Sequence, residues 1–199
     1  MARTAVLTKK QILESSFNIV NDMGLDKVTV REIAKNLNTS TAPIYTQYKN
    51  MDELKEDLSN YVDNKLLTYL KGSYSGSSFY NIGAGLLSFA YENQNVFRTY
   101  YLDRNTLQSY ITNNSSQFVE QMKEDLFLNI LDQDRLEMLI DDMWIYTFGL
   151  ATIICTDKNK KELSNYLDKL EKTGERLIIY HFFSTGKIEK AFSLMKNRK

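Results

Sequence analysis

The stretch VTVREIAKNLNTSTAPIYTQYKNMDEL, Val28 to Leu54, decides how the rest of the chain is read. Val30, Ile33, Ala34 and Leu37 recur at i, i+3, i+4 and i+7, the spacing of one apolar helix face. Thr29, followed three residues later by Glu32, has the pattern that caps a helix N-terminus. Asn38 and Thr39 form the turn. A short second helix is expected over about 41–47, with Ser40 as its cap and Pro43 in the first turn, where a missing N–H leaves no helix bond unmade. Ile44 and Tyr48, four residues apart, give that helix an inner face. Asn50 and Glu53 then cap a third helix by the same logic. Two helices across a tight turn, with short polar side chains at the tip of the second, suit the major groove of DNA.

Working outward, a first helix is expected from after Thr8 to about Met23, because Ile12, Leu13, Phe17, Val20 and Met23 share a face. Gly24 supplies the stop. A long helix over 51–70 keeps an apolar stripe through Leu54, Leu58, Tyr61, Val62, Leu66 and Leu70. At 1.5 Å per residue it is a rod of about 30 Å, long enough to connect two domains. The Gly- and Ser-rich stretch 71–78 reads as a loop. Helical tracts follow at about 79–93, 95–102, 107–131 and 134–155, and a last one runs from 160 to about 183 and ends at Gly186. One proline in 199 residues and no sustained two-residue alternation leave little room for strands. The expected fold is all-α with about nine helices. Residues 1–50 form a helix-turn-helix domain, and 51–199 form a larger helical domain for ligand binding and dimerisation, joined by the 51–70 helix.

Composition narrows the function. A hydrophobic fraction of 43% suits a globular protein. No run of 18 apolar residues exists and the N-terminus has no apolar leader, so neither a membrane span nor a secretory signal is expected, and a cytoplasmic location is. One cysteine, Cys155, excludes an internal disulfide, and the single His181 offers no zinc cluster. Neither a catalytic triad nor a phosphate-binding glycine loop is visible, so no enzyme and no cofactor are expected. Net charge is zero, but residues 1–50 carry seven basic and four acidic side chains, a net +3 that leaves −3 for the remainder. Two such basic ends in a dimer would add toward phosphate binding.

Gly24, Val28-Thr29-Val30, Ile33-Ala34, Leu37, Ser40, Ile44-Tyr45, Tyr48 and Asp52-Glu53-Leu54 together resemble the helix-turn-helix signature of the TetR-family transcriptional regulators, over about the first 55 residues. Trp144 to Ile154 (WIYTFGLATII) is similar, more loosely, to a tract at the dimer interface of that family's regulatory domain. The resemblance implies a homodimer that binds a palindromic DNA operator through its N-terminal domains, acts as a repressor and is released by a small-molecule effector. The sequence departs from the family at several points. Thr39 stands where an apolar residue is common, Gln47 at a frequent histidine and Met51 at a frequent lysine, while Ala42-Pro43 replaces a small glycine-threonine pair and Phe148 another frequent histidine.

By position on the recognition helix, Thr39, Ser40, Thr41, Ala42 and Pro43 are the candidates to meet base edges, through hydroxyls and through carbon contacts to thymine methyl groups. Lys49 flanks them. By the resemblance, Tyr45 and Tyr48 bind phosphate through their hydroxyls, although Tyr48 also reads as core packed against the first helix. Thr29 has a helix N-terminus to lend to a phosphate, and Arg3 and Lys9 could form an arm. For a small apolar or aromatic ligand the candidates are Phe89, Phe97, Tyr101, Phe118, Gln121, Asp141 and Trp144; the alternative for each ring is ordinary core. The dimer face is expected from Met143, Tyr146, Thr147, Leu150, Ala151 and Ile154, continued by Leu167, Leu170, Leu177 and Ile178. A rival reading, favoured by Met51 and the weak net charge, is a TetR-like co-activator or protein-binding module with reduced DNA binding.

Overall fold

The computed structural model describes residues 7–103, 107–159, 161–190 and 193. Among these residues there are nine α-helices and no strand: α1 (Lys9–Met23), α2 (Val30–Asn36), α3 (Ala42–Gln47), α4 (Met51–Leu70), α5 (Ser78–Glu92), α6 (Gln94–Phe97), α7 (Leu107–Lys123), α8 (Gln133–Thr156) and α9 (Leu163–Ser184). The all-α expectation stands. Local chemistry sets most of the ends. Thr8 and Gln11 cap α1 reciprocally, Thr29 accepts from the Glu32 N–H to open α2, and Asn50 accepts from the Glu53 N–H to open α4. Gly24 (φ 93°) and Gly186 (φ 66°) adopt the positive φ that glycine tolerates best.

Three ends depart from expectation, each for a local reason. α3 starts one residue later than its sequence suggests, with Thr41 as N-cap and no side-chain cap bond. Pro43 is the second residue of that helix and has no N–H, so one of the donors a capping hydroxyl normally satisfies is missing, and Ser40 stays exposed. The tract expected over 107–131 is not continuous. After α7 ends at Lys123, the Asp125 carboxylate accepts from the Phe127 N–H at 2.8 Å, and a single 3-10 turn, Leu128–Ile130, follows. α6 passes directly into one wide π-type turn, Arg98–Leu102. That turn buries the neighbouring residues Tyr100 and Tyr101 together.

α5 is the centre of the larger bundle. Phe79 and every residue from Asn81 to Ala90 are buried, as expected of a helix enclosed on all sides, and α4, α8 and α9 pack around it. Gly85 permits the closest of these approaches, because a Cβ there would run into the Tyr69 carbonyl of α4. α8 is apolar and long enough by length and composition to cross a membrane, with a mean hydropathy of 1.4 over its most apolar window, but half of that window is buried within the bundle. α4 is not the sole tie between the N-terminal helices and this bundle. Asn95 donates to the Asn21 carbonyl at 2.7 Å, and Asn21 to the Glu92 carbonyl at 3.4 Å, fixing the end of α1 to the α5–α6 corner.

Candidate functional site

The amphipathic pattern of α3 fixes what it can touch. Ile44 and Tyr48 turn inward, at 1% and 2% exposure, while Ser40, Ala42, Tyr45, Thr46 and Lys49 face outward and Tyr45 is 58% exposed. Thr39, Thr41 and Pro43 sit half-buried at the start of the helix. Thr29 is exposed, so its hydroxyl both caps α2 and lies at the surface beside the helix N-terminus. Lys49 anchors its backbone by donating its N–H to Glu53 at 2.9 Å, and its side chain makes no ion pair among the described residues. Gln47 donates to the Leu7 carbonyl at 3.0 Å and so pins the start of the chain against α3.

Two expectations for this end are corrected. The Tyr48 hydroxyl is enclosed, with Lys9 of α1 and Asp57 of α4 beside the side chain, so it does not reach outward to a phosphate. Burial, and then the negative charge of nearby Asp57, hold its phenol well above the usual tyrosine range. Asp57 gives its oxygen to Lys9 instead, at 3.0 Å, and Glu53 lies 3.6 Å from the same ammonium. Lys9, which also sits 4.5 Å from the centre of the Tyr48 ring, is thereby held to α4 and is no free arm. Arg3 lies outside the described residues.

The expected ligand set comes apart in the same way. Phe89, Phe97 and Tyr101 pack on one another with ring centres 5.5–6.4 Å apart and almost no exposure, so they fill each other's space. Asp141 lies on the exposed side of α8, and Gln121 is half-buried on α7. Of the set, Phe118 and Trp144 line an apolar seam of about 20 Å³ that they share with Phe79, Ile82, Met143 and Thr147, among others. That is room for about one water. A roomier space was not expected. Between α4, the 98–102 turn and α7 lies a cleft of about 380 Å³ lined by Ser59, Asp63, Tyr100, Tyr110 and Asn113, among others. Tyr101 donates to the Asp63 carboxylate at 2.8 Å and Tyr110 to its carbonyl at 3.3 Å. Burial pushes the Asp63 carboxyl above the ordinary aspartate value, and the Tyr101 bond offsets part of that rise. The Tyr110 phenol, by burial and then by the Asp63 charge, rises to about 12. The one signal in the sequence was an acidic residue immediately beside the inward stripe of α4, next to Val62.

On α8, Met143, Thr147, Leu150, Ala151 and Ile154 are buried within the chain, as is Leu170 on α9; Tyr146, Leu167, Leu177 and Ile178 are half-buried. They pack against α5 or between α8 and α9, so the expected face is largely turned inward. The large apolar side chains these helices leave in solvent are Met138 (49%), Ile145 (74%) and Ile153 (47%) on α8, with Ile179 (58%), Tyr180 (59%) and Phe183 (72%) on α9. Gly149, between Ile145 and Ile153, is exposed and has no atom near where a Cβ would stand. Periodicity had located an apolar stripe on α8 but could not say that α5 takes that stripe and leaves another.

Residues 12–58 match the family described as bacterial regulatory proteins, tetR family. Among curated proteins, none matches this sequence. The fold is similar to that of a transcriptional regulator of the TerR/AcrR family from Aquifex aeolicus VF5, with a TM-score of 0.62 and 20% identity over 85% of this chain and 98% of that one. A transcriptional regulator from Rhodococcus sp. RHA1 superposes with a TM-score of 0.59 at 16% identity, over 89% of this chain and 97% of that chain. A TetR-like transcriptional regulator from the same organism gives 0.56 at 16% identity, over 88% and 97%. At these identities the likeness speaks to the fold.

Proposed function

We propose that the chain, whose residues 12–58 match the TetR family and whose all-helical fold is similar to that of solved TetR-like regulators, is a homodimeric repressor that binds a palindromic operator and is released by a small effector bound in the 51–199 domain. The observation that carries the reading is the division of α3. Its inner residues Ile44 and Tyr48 fix it to the core, and its outer residues Ser40, Ala42, Tyr45 and Lys49 present hydroxyl, methyl, phenol and ammonium groups to solvent. Hydroxyls and small carbons discriminate bases; a phenol and an ammonium suit phosphates. Thr29, Thr39, Thr41 and Pro43 complete the proposed DNA-facing set. A single copy offers one short helix to the duplex, and two copies are needed to read half-sites roughly 34–36 Å apart.

The second copy docks, in this reading, on the exposed apolar side of α8 and α9 around Ile145, Gly149, Ile153, Ile179 and Phe183. Contiguous exposed apolar surface favours a partner, and a two-fold contact sets like residues of both copies against one another. An effector that prefers the arrangement with mismatched recognition helices shifts the dimer toward it, by its difference in affinity for the two states. The protein works in the cytoplasm, where the operator is. Selection of bound fragments from the source genome by the purified protein tests the reading. It predicts recovery of a two-fold symmetric sequence; random recovery, with no common site, argues for the co-activator or protein-binding alternative.

A further inference from the structure

We propose that the cleft between α4 and α7 is a binding site for a small organic cation, an alkyl- or arylammonium, seated with its charge on Asp63. The cleft has the size of a small-molecule site, about 380 Å³. Among the described residues, Asp63 is the one charged side chain lining it, and it makes no ion pair. The rest of the lining is neutral: tyrosine rings, serine hydroxyls and asparagine amides. Among the described residues lining it, an anion finds no counter-charge. A neutral guest would leave a half-buried carboxylate with even less water, which is unfavourable without a compensating charge or hydrogen bond. A cation reverses both terms, and the Tyr100 and Tyr110 side chains on the walls add aromatic surface beside it.

The position of Asp63 gives the site a consequence. It lies on α4, the helix that begins beside α3, and Tyr101 holds its carboxylate from the 98–102 turn while Tyr110 holds its carbonyl from α7. A guest bridging Asp63 to α7 draws on the same groups that fix α4 to the bundle. The cation site therefore names the chemical class of the effector in the function proposed above, and it rests on that reading only for its regulatory role.

The test is calorimetric titration of the full-length protein with benzylammonium and with benzyl alcohol, which keeps the ring and lacks the charge. Benzylammonium is expected to bind roughly tenfold or more tightly than the alcohol, and Asp63→Asn to bring the two level. Equal affinities in the wild-type protein, no benzylammonium binding, or an Asp63→Asn protein that still prefers the cation overturns the site. The asparagine amide keeps an oxygen for the Tyr101 hydroxyl, so the fold is expected to survive the substitution. Should it not, Asn113→Trp at the exposed mouth replaces it, and cation binding undiminished by that ring overturns the proposal. Operator affinity measured on the same samples separates the two claims. Benzylammonium that binds without loosening the operator overturns its role as effector class and leaves the site; intact operator binding with no benzylammonium bound overturns the site and leaves the repressor reading.

Discussion

The tip of α3 exposes Ser40, Ala42, Tyr45 and Lys49; the outer face of α8 and α9 exposes Ile145, Ile153, Ile179 and Phe183. Both surfaces are uncovered in the single chain, and in the proposed reading their chemistry suits opposite partners. The first is short, hydroxylated and basic at one end, fit for a hydrated, anionic duplex. The second is apolar, with side chains whose exposure water penalises at about 25 cal/mol per Å². The difference teaches that exposure alone does not identify a partner, while exposure together with polarity does. It also makes the two surfaces separable by mutation.

The largest effect is expected at the apolar face. Ile145→Glu combined with Phe183→Glu places carboxylates among the exposed apolar side chains of the proposed contact, and sedimentation should then show a monomer where the account expects the parent chain to be a dimer. Operator affinity should fall by about two orders of magnitude or more, since one half-site alone remains to each chain. Next comes the joint between the surfaces. Gly85→Ala sets a methyl against the Tyr69 carbonyl of α4, and chemical denaturation should show a loss of about 1–3 kcal/mol, as for an overfilled core. At the α3 tip, Tyr45→Ala or Lys49→Ala should weaken operator binding about tenfold at matched salt, with dimerisation and melting temperature unchanged because both side chains are exposed. A fall in melting temperature comparable to that of Gly85→Ala would make α3 a structural element first.

The smallest effect is a sign. Burial raises the Asp63 carboxyl above its unfolded value of 3.8, so the folded chain holds that proton more tightly than the unfolded one. Ionised Asp63 therefore disfavours the fold at neutral pH, and the penalty fades as pH falls through the raised value toward 3.8. Asp63→Asn should melt slightly higher than the parent at neutral pH, and the gap should close on acidification. A variant that melts lower at neutral pH would mean that the Tyr101 bond outweighs the desolvation.

The helix-turn-helix was legible because its signals are local. Thr29, Asn50, Gly24 and the Val30-Ile33-Ala34-Leu37 stripe act within a few residues of themselves, and the Thr29 and Asn50 caps form where the pattern puts them, while the Ser40 cap does not. The errors came where distant parts compete for a side chain. Tyr48 has a core reading from its own position and a phosphate reading from the resemblance, and the packing of Lys9 and Asp57 beside it decides for the first. The stripe of Thr147, Leu150, Ala151 and Ile154 was real, but α5 claims it, which only the packing of α5 reveals. Phe89, Phe97 and Tyr101 read as pocket lining, yet rings at that density satisfy one another. The cleft at Asp63 depends on a π-type turn at 98–102, which no pattern in that segment announced.

Native mass spectrometry of the purified chain with the duplex recovered by genomic selection tests the central claim most directly. The account predicts a complex with two chains on one duplex, or four where two dimers share it, that disassembles as salt is raised and that the Ile145→Glu, Phe183→Glu protein does not form. A stable complex with one chain per duplex, or no complex with any duplex, contradicts it.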